Sequence, residues 1–227
     1  MNLRDMITQV RLTMKDMRLR VFQEPEIVFA LNEGKDELVK IIREANENFF
    51  ETSASGTISS TTTPNASTIT LPADFSRLRN IRVTSSGMED VIFQYMNQSD
   101  YRFRQALLDG GSFGSGGGIL YYDFQGLGTM ILAPGADMDM TYTMDYIQTV
   151  SDMSLPTDEP TQIPAEHHGF IVTWAVVECM RKVEDARLDQ YQSKLEYQKE
   201  SVVAGINTRQ AKEPTFVTGF MEEEYWG

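Results

Sequence analysis

The sequence predicts an α+β protein: a helical bundle with a long C-terminal helix, an inserted antiparallel β domain and an extended C-terminal tail. Three observations carry that expectation. Residues 164–208 read as one continuous helix. Two more helical stripes lie within the first 50 residues. Between them stands a section in which apolar residues alternate instead of recurring at helical spacing.

The long helix opens at Ile163-Pro164, where proline's missing N–H is not needed. Glu166 adds negative charge near the positive end of the helix dipole. From Gly169 to Met180 the only charged residue is Glu178, so this half is apolar nearly all round and belongs in a core. Beyond Met180, Tyr191, Leu195 and Val202 keep a thin apolar stripe among Arg, Lys, Asp and Glu. A helix of about 40 residues spans roughly 60 Å, more than a small domain covers. That excess length needs a second partner, either another element of this chain or a neighbouring copy, and Tyr191, Leu195 and Val202 are the candidates for inter-subunit packing.

At the N-terminal end, Leu3, Ile7, Val10 and Met14 predict a helix over residues 2–19, with Asn2 or Asp5 at its start. Pro25 marks a new start. Ile27, Leu31, Leu38, Ile41, Ile42, Ala45 and Phe49 predict a second helical region over residues 26–50. Gly34 is a candidate interruption there, with Asp36 as the next N-cap.

Residues 52–67 are Ser/Thr-rich, with Gly56, Pro64 and Asn65. Strands are expected at 68–71, 78–83 (with a bulge), 91–95, 119–124, 129–132 and 138–147, and a short helix at 100–108. Gln125-Gly-Leu-Gly128 reads as a hairpin turn. In the last strand Met140, Tyr142, Met144 and Tyr146 face one way, and Asp139, Thr141, Thr143 and Asp145 the other. The domain limits that follow are 1–51 for the N-terminal helices, 52–163 for the β-rich insertion, 164–208 for the long helix completing the helical domain, and 209–227 for an extended arm. The helices would make one layer and the β part another.

The chain has 33 acidic and 20 basic residues and a formal net charge of −13. Wrapping nucleic acid needs basic patches that release counterions, so that class is disfavoured. Between Thr52 and Ala165 five arginines (Arg77, Arg79, Arg82, Arg102, Arg104) face twelve acidic residues, and this section carries −7 of the −13. No apolar run is long enough to cross a bilayer, and residues 1–5 lack a signal peptide's apolar core. The single Cys179 permits no internal disulfide, which fits a reducing compartment; it reads as a small buried hydrophobe.

No catalytic set emerges. Glu166-His167-His168 holds the only two histidines, but neighbours on a helix point about 100° apart and do not converge on one ion. Cys179 lies roughly 16 Å along the helix from His168, too far for a Cys/His pair. Gly110 to Gly118 lacks the Lys-Ser/Thr of a phosphate loop. No cofactor or metal is expected. Phe216, Phe220, Tyr225 and Trp226 stand in a polar tail with Glu222–Glu224, a pattern suited to anchoring on a partner.

In order and spacing, several short stretches resemble the head-to-tail connector (adaptor) proteins of tailed bacteriophages, particularly short-tailed ones. They are Ala45-Asn-Glu-Asn-Phe-Phe50, Leu71-Pro-Ala-Asp-Phe75 followed by Leu78-Arg-Asn-Ile-Arg-Val83, Ile131-Leu-Ala-Pro134, and Tyr142-Thr-Met-Asp-Tyr146. The proline-rich linker 155–164 and Glu184-Asp185-Ala186 complete the set. The resemblance spans about residues 20–205; the glycine loop and the aromatic C-terminus depart from it. It implies a virion protein at the head–tail junction, made in the host cytoplasm. It further implies a ring, usually of twelve copies, docked under the portal protein. Such a ring extends the channel for double-stranded DNA, bears a tail nozzle or other tail component, and meets no membrane. Similar proteins carry a C-terminal arm onto the portal, a role for which Phe216, Phe220, Tyr225 and Trp226 are the candidates here. Two other classes are weighed: a virion-associated cell-wall hydrolase, for which no carboxylate pair stands out, and a monomeric or dimeric binding module.

Overall fold

A computed structural model describes residues 1–16, 21–59, 66–85, 91–108, 118–136 and 138–210. The chain divides into a helical unit, residues 1–49 with 152–210, and a β unit, Phe50–Ser151. It has the expected α+β class.

In the helical unit, α1 (Leu3–Met14) is capped by Asn2, whose side chain accepts from the Asp5 N–H at 2.9 Å. It buries Leu3, Met6, Ile7 and Val10. It stops short of the expected residue 19 because Lys15 turns into the left-handed region (φ 57°). The carboxylate of Asp16 then accepts from the N–H groups of Val21 and Phe22. Next, α2 (Glu24–Ala45) has Pro25 in its first turn, and the Glu26 carboxylate reaches back to the Gln23 N–H at 2.9 Å. It runs unbroken through Gly34, contrary to the expected interruption. A Cβ at Gly34 would lie 2.9 Å from Trp174 Cβ and 3.1 Å from the Ile171 carbonyl. That glycine serves close helix approach, not termination.

The single helix expected over 164–208 is two. A short 3-10 turn (Ala165–His167) leads into α4 (His168–Lys182), and α5 (Leu188–Gln210) follows. Glu184 takes φ 51°, and the Asp185 N–H closes back on the Met180 carbonyl at 3.1 Å, ending α4 as a left-handed cap does. Arg187 clasps Asp185 at 2.8 and 3.1 Å and donates to the Thr13 carbonyl at 3.2 Å, which fixes the break. The apolar expectation for residues 169–180 holds: α4 touches α1, α2 and α5, so it needs no polar face. The segment after residue 151 is stitched to α1 and α2. Asn32 and Met153 exchange two hydrogen bonds (3.0 and 2.9 Å), and the buried Lys35 ammonium pairs with Asp152.

The β unit has two sheets. One is antiparallel in the order β1 (Glu51–Ile58), β7 (Met140–Gln148), β3 (Phe75–Val83). The other runs β2 (Ser67–Thr70), β6 (Thr129–Ala133), β5 (Gly118–Gln125), β4 (Val91–Tyr95). They share one core, in which Met140, Tyr142, Met144 and Tyr146 of β7 join Ile69, Leu71, Ile81, Leu120, Met130 and Leu132. β3 carries the expected bulges. Two findings depart from the sequence reading. β4 and β5 pair in parallel, so the unit is mixed and not wholly antiparallel, and α3 (Tyr101–Leu108) lies in the crossover with Phe103 buried. And β1 is a strand where none was expected. Its Thr52, Ala54 and Gly56 pair with Tyr146, Met144 and Tyr142. A Cβ at Gly56 would lie 2.6 Å from the Tyr142 hydroxyl, so small residues are required opposite the large ones.

Candidate interaction surfaces

His168 and Cys179 are buried in the helical unit. The His168 Nε2–H donates to the Ile163 carbonyl at 3.0 Å, and Nδ1 accepts from the Met1 ammonium at 2.9 Å. Burial holds its pKa below the usual histidine value. His167 instead lies 3.6 Å from Glu166. Among the described residues, no group of three or more His, Cys, Asp or Glu is placed to hold a metal ion, and no helix is long and apolar enough to cross a membrane. Burial pushes the Cys179 thiol up to about 11, away from thiolate chemistry. The glycine loop 110–117 and the tail residues Phe216, Phe220, Tyr225 and Trp226 lie outside the described residues.

The three stripe residues of α5 have different surroundings. Val202 is buried within the helical unit beside Ile206, whereas Tyr191 and Leu195 are half-buried. The other side of α5 presents Tyr197, 72% exposed, and α2 presents Phe29, 63% exposed, beside Val28 and Asn32. Sequence reasoning passed over both. The signal lay in their spacing, since each falls off the apolar stripe of its own helix.

The β unit carries a half-open cleft of about 590 Å3. Its floor is a ladder of rings, Phe75–Phe124 and Tyr95–Tyr122 at 5.7 Å and Tyr122–Phe124 at 5.9 Å. Burial and the neighbouring Tyr95 raise the Tyr122 pKa. Leu71, Leu78 and Thr149 complete the walls, and Arg77 is the one charged side chain among the described residues that line it. At the mouth the β5–β6 turn lifts Leu127, 98% exposed, between Gly126 (φ 65°) and Gly128. The cleft went unread because its walls come from distant segments.

Below the cleft two of the quoted stretches meet. The Tyr146 hydroxyl donates to Asp74, and the Phe75 ring stacks on Tyr146 at 5.7 Å. Thr149 donates to the Asp74 carbonyl through both N–H (2.7 Å) and hydroxyl (3.1 Å). Asp74 thus fastens the Leu71–Phe75 step to the end of β7.

No curated protein matches the chain. The family model described as SU10 adaptor protein matches residues 1–215, nearly the whole sequence, and stops just short of the aromatic tail. On that match the chain belongs to the SU10 adaptor protein family and is a phage adaptor, a component of the virion's head–tail connection.

Proposed function

We propose that the chain is a non-catalytic wall protein. Its copies stand side by side in a ring, of twelve by the resemblance, docked under the portal at the head–tail junction. The ring extends the DNA channel and offers a platform to the tail. The observation that carries this reading is the second face of α5. Val202 and Ile206 already serve the subunit's own core, and Tyr197 stands exposed on the opposite side of the same helix, where an aromatic is suited to a contact with a neighbouring copy. In the ring, Tyr197 packs toward one neighbouring copy, and the half-buried Tyr191 and Leu195, on the opposite side of α5 with Val202, toward the other where they clear the subunit's own core. The acidic balance supports the channel: a wall of net −13 repels phosphates, so DNA slides without adhering. Phe216, Phe220, Tyr225 and Trp226 form the arm that docks on the portal.

Native mass spectrometry of the purified full chain, alone and with its own portal protein, tests this. A defined multiple of the chain on the portal is expected. A chain that never associates with the portal, or that lyses peptidoglycan, contradicts it.

A further inference from the structure

We propose that the outer edge of β1 is a docking site for an extended segment of another virion protein. The segment would add a strand beside β1, carry large apolar residues at alternate positions, and share a hydrogen bond with the Tyr142 hydroxyl. This deepens the adaptor reading and rests on it.

β1 is the unguarded edge of its sheet. It is eight residues long, keeps one unshifted register with β7, and after Glu51 holds no charge and no proline. The opposite edge, β3, bears the exposed Arg77, Arg79 and Arg82 and two register shifts. The edges of the other sheet are short, β2 with four residues and β4 with five. Charge, bulges and shortness are how proteins keep an edge from pairing, and β1 has none of them. Its backbone is already placed for a partner. The Gln148 N–H donates to the Phe50 carbonyl at 3.0 Å. Alternation from that pair turns the backbone groups of Thr52, Ala54 and Gly56 toward β7 and those of Ser53, Ser55 and Thr57 outward. Among the described residues nothing bonds to the outward groups.

A side chain points to the same edge independently. The Tyr142 ring lies across Gly56, with its hydroxyl 2.6 Å from where a Cβ would stand, so it reaches over β1 from the strand behind. Tyr142 is only 7% exposed, yet its hydroxyl has no hydrogen-bond partner among the described residues. A buried hydroxyl left unpaired is costly, and a backbone group of an added strand would pair it. The ladder of N–H and C=O groups selects an extended polypeptide. Thr52, Ala54 and Gly56 are small and half-buried, so large apolar side chains set beside them would extend the core. Two β1 strands paired together would give a two-fold dimer, which does not propagate round a ring, and the C-terminal arm serves the portal. The added strand therefore comes from a different protein of the virion.

The test places a photoreactive benzophenone side chain at position 57 of the full chain during phage growth, then illuminates purified virions. The expected product is an adduct to one other virion protein, within a stretch that alternates large apolar with polar residues. A synthetic peptide of that stretch then binds the purified chain, and hydrogen exchange at the amides of Ser53, Ser55 and Thr57 slows about tenfold or more. Ser55→Pro, which removes an outward N–H and spares the ladder to β7, weakens binding about tenfold or more. Tyr142→Phe weakens it about fivefold, while Lys40→Gln on α2 leaves it unchanged. Circular dichroism confirms that each variant is folded. Should the bulky group at 57 keep the chain out of virions, position 53 carries it instead. Adducts only to other copies of this chain or to DNA, no adduct from virions that contain the labelled chain, or peptide binding that leaves those amides unprotected, overturn the proposal. Virions lacking the unmodified chain altogether would defeat the adaptor reading itself, and the proposal with it.

Discussion

The Tyr146 hydroxyl donates a 3.0 Å hydrogen bond to the Asp74 carboxylate, joining the end of β7 to the Leu71-Pro-Ala-Asp-Phe75 step. Burial, then this bond, push the tyrosine up to about 12 from its usual 10. A phenol that holds its proton more tightly when folded stabilises the fold below pH 10, and that contribution is lost as pH rises from about 10 to about 12. Urea unfolding across that range should show falling stability. Tyr146→Phe should remove most of that slope and cost about 1–2 kcal/mol at neutral pH.

The break between α4 and α5 makes an acid-side prediction. Arg187 holds the Asp185 carboxyl down to about 2. A carboxyl whose pKa is lowered on folding contributes above the unfolded value, near 4, and loses that contribution as pH falls toward about 2. Thermal melts between pH 5 and 2 should show a shallower acid decline for Asp185→Asn than for the parent.

Two glycine exchanges should move stability in opposite directions. Glu184 sits at φ 51°, so Glu184→Gly relieves left-handed strain and should leave stability equal or raise it by up to about 1 kcal/mol. Gly34→Ala would press a methyl onto Trp174 and the Ile171 carbonyl, and overpacking of this kind costs about 1–3 kcal/mol. Chemical denaturation of the two variants checks both.

Tyr197→Glu separates folding from assembly. The side chain is 72% exposed, so the melting temperature should stay within the small range of surface changes. Light scattering in the presence of portal protein should nevertheless show ring formation lost, because the charge would be buried against the neighbouring copy.

The proposed arm has its own check. Deleting residues 213–227 should leave the melt unchanged and weaken attachment to the portal in a pull-down. Undiminished attachment would remove the arm from the account.

What was legible in the sequence followed from periodicity. The all-round apolar run 169–180 placed α4 at the centre of the bundle, and Met140, Tyr142, Met144 and Tyr146 announced β7. What was illegible depended on partners. Thr52, Ala54 and Gly56 look like linker until they are set beneath Tyr146, Met144 and Tyr142. Gly34 looks like a breaker until Trp174 lies against it. The turn at Glu184 rests on a clasp between Asp185 and Arg187 that charge spacing alone does not reveal. The cleft joins Phe75, Tyr95, Phe124 and Leu127, and no local pattern links those four.

The most direct measurement is electron microscopy of the full chain bound to its own portal protein. End-on averages should show one closed annulus of identical subunits, stacked coaxially on the portal around an open centre. Single subunits scattered on the portal, or a plugged centre with no rotational symmetry, would contradict it.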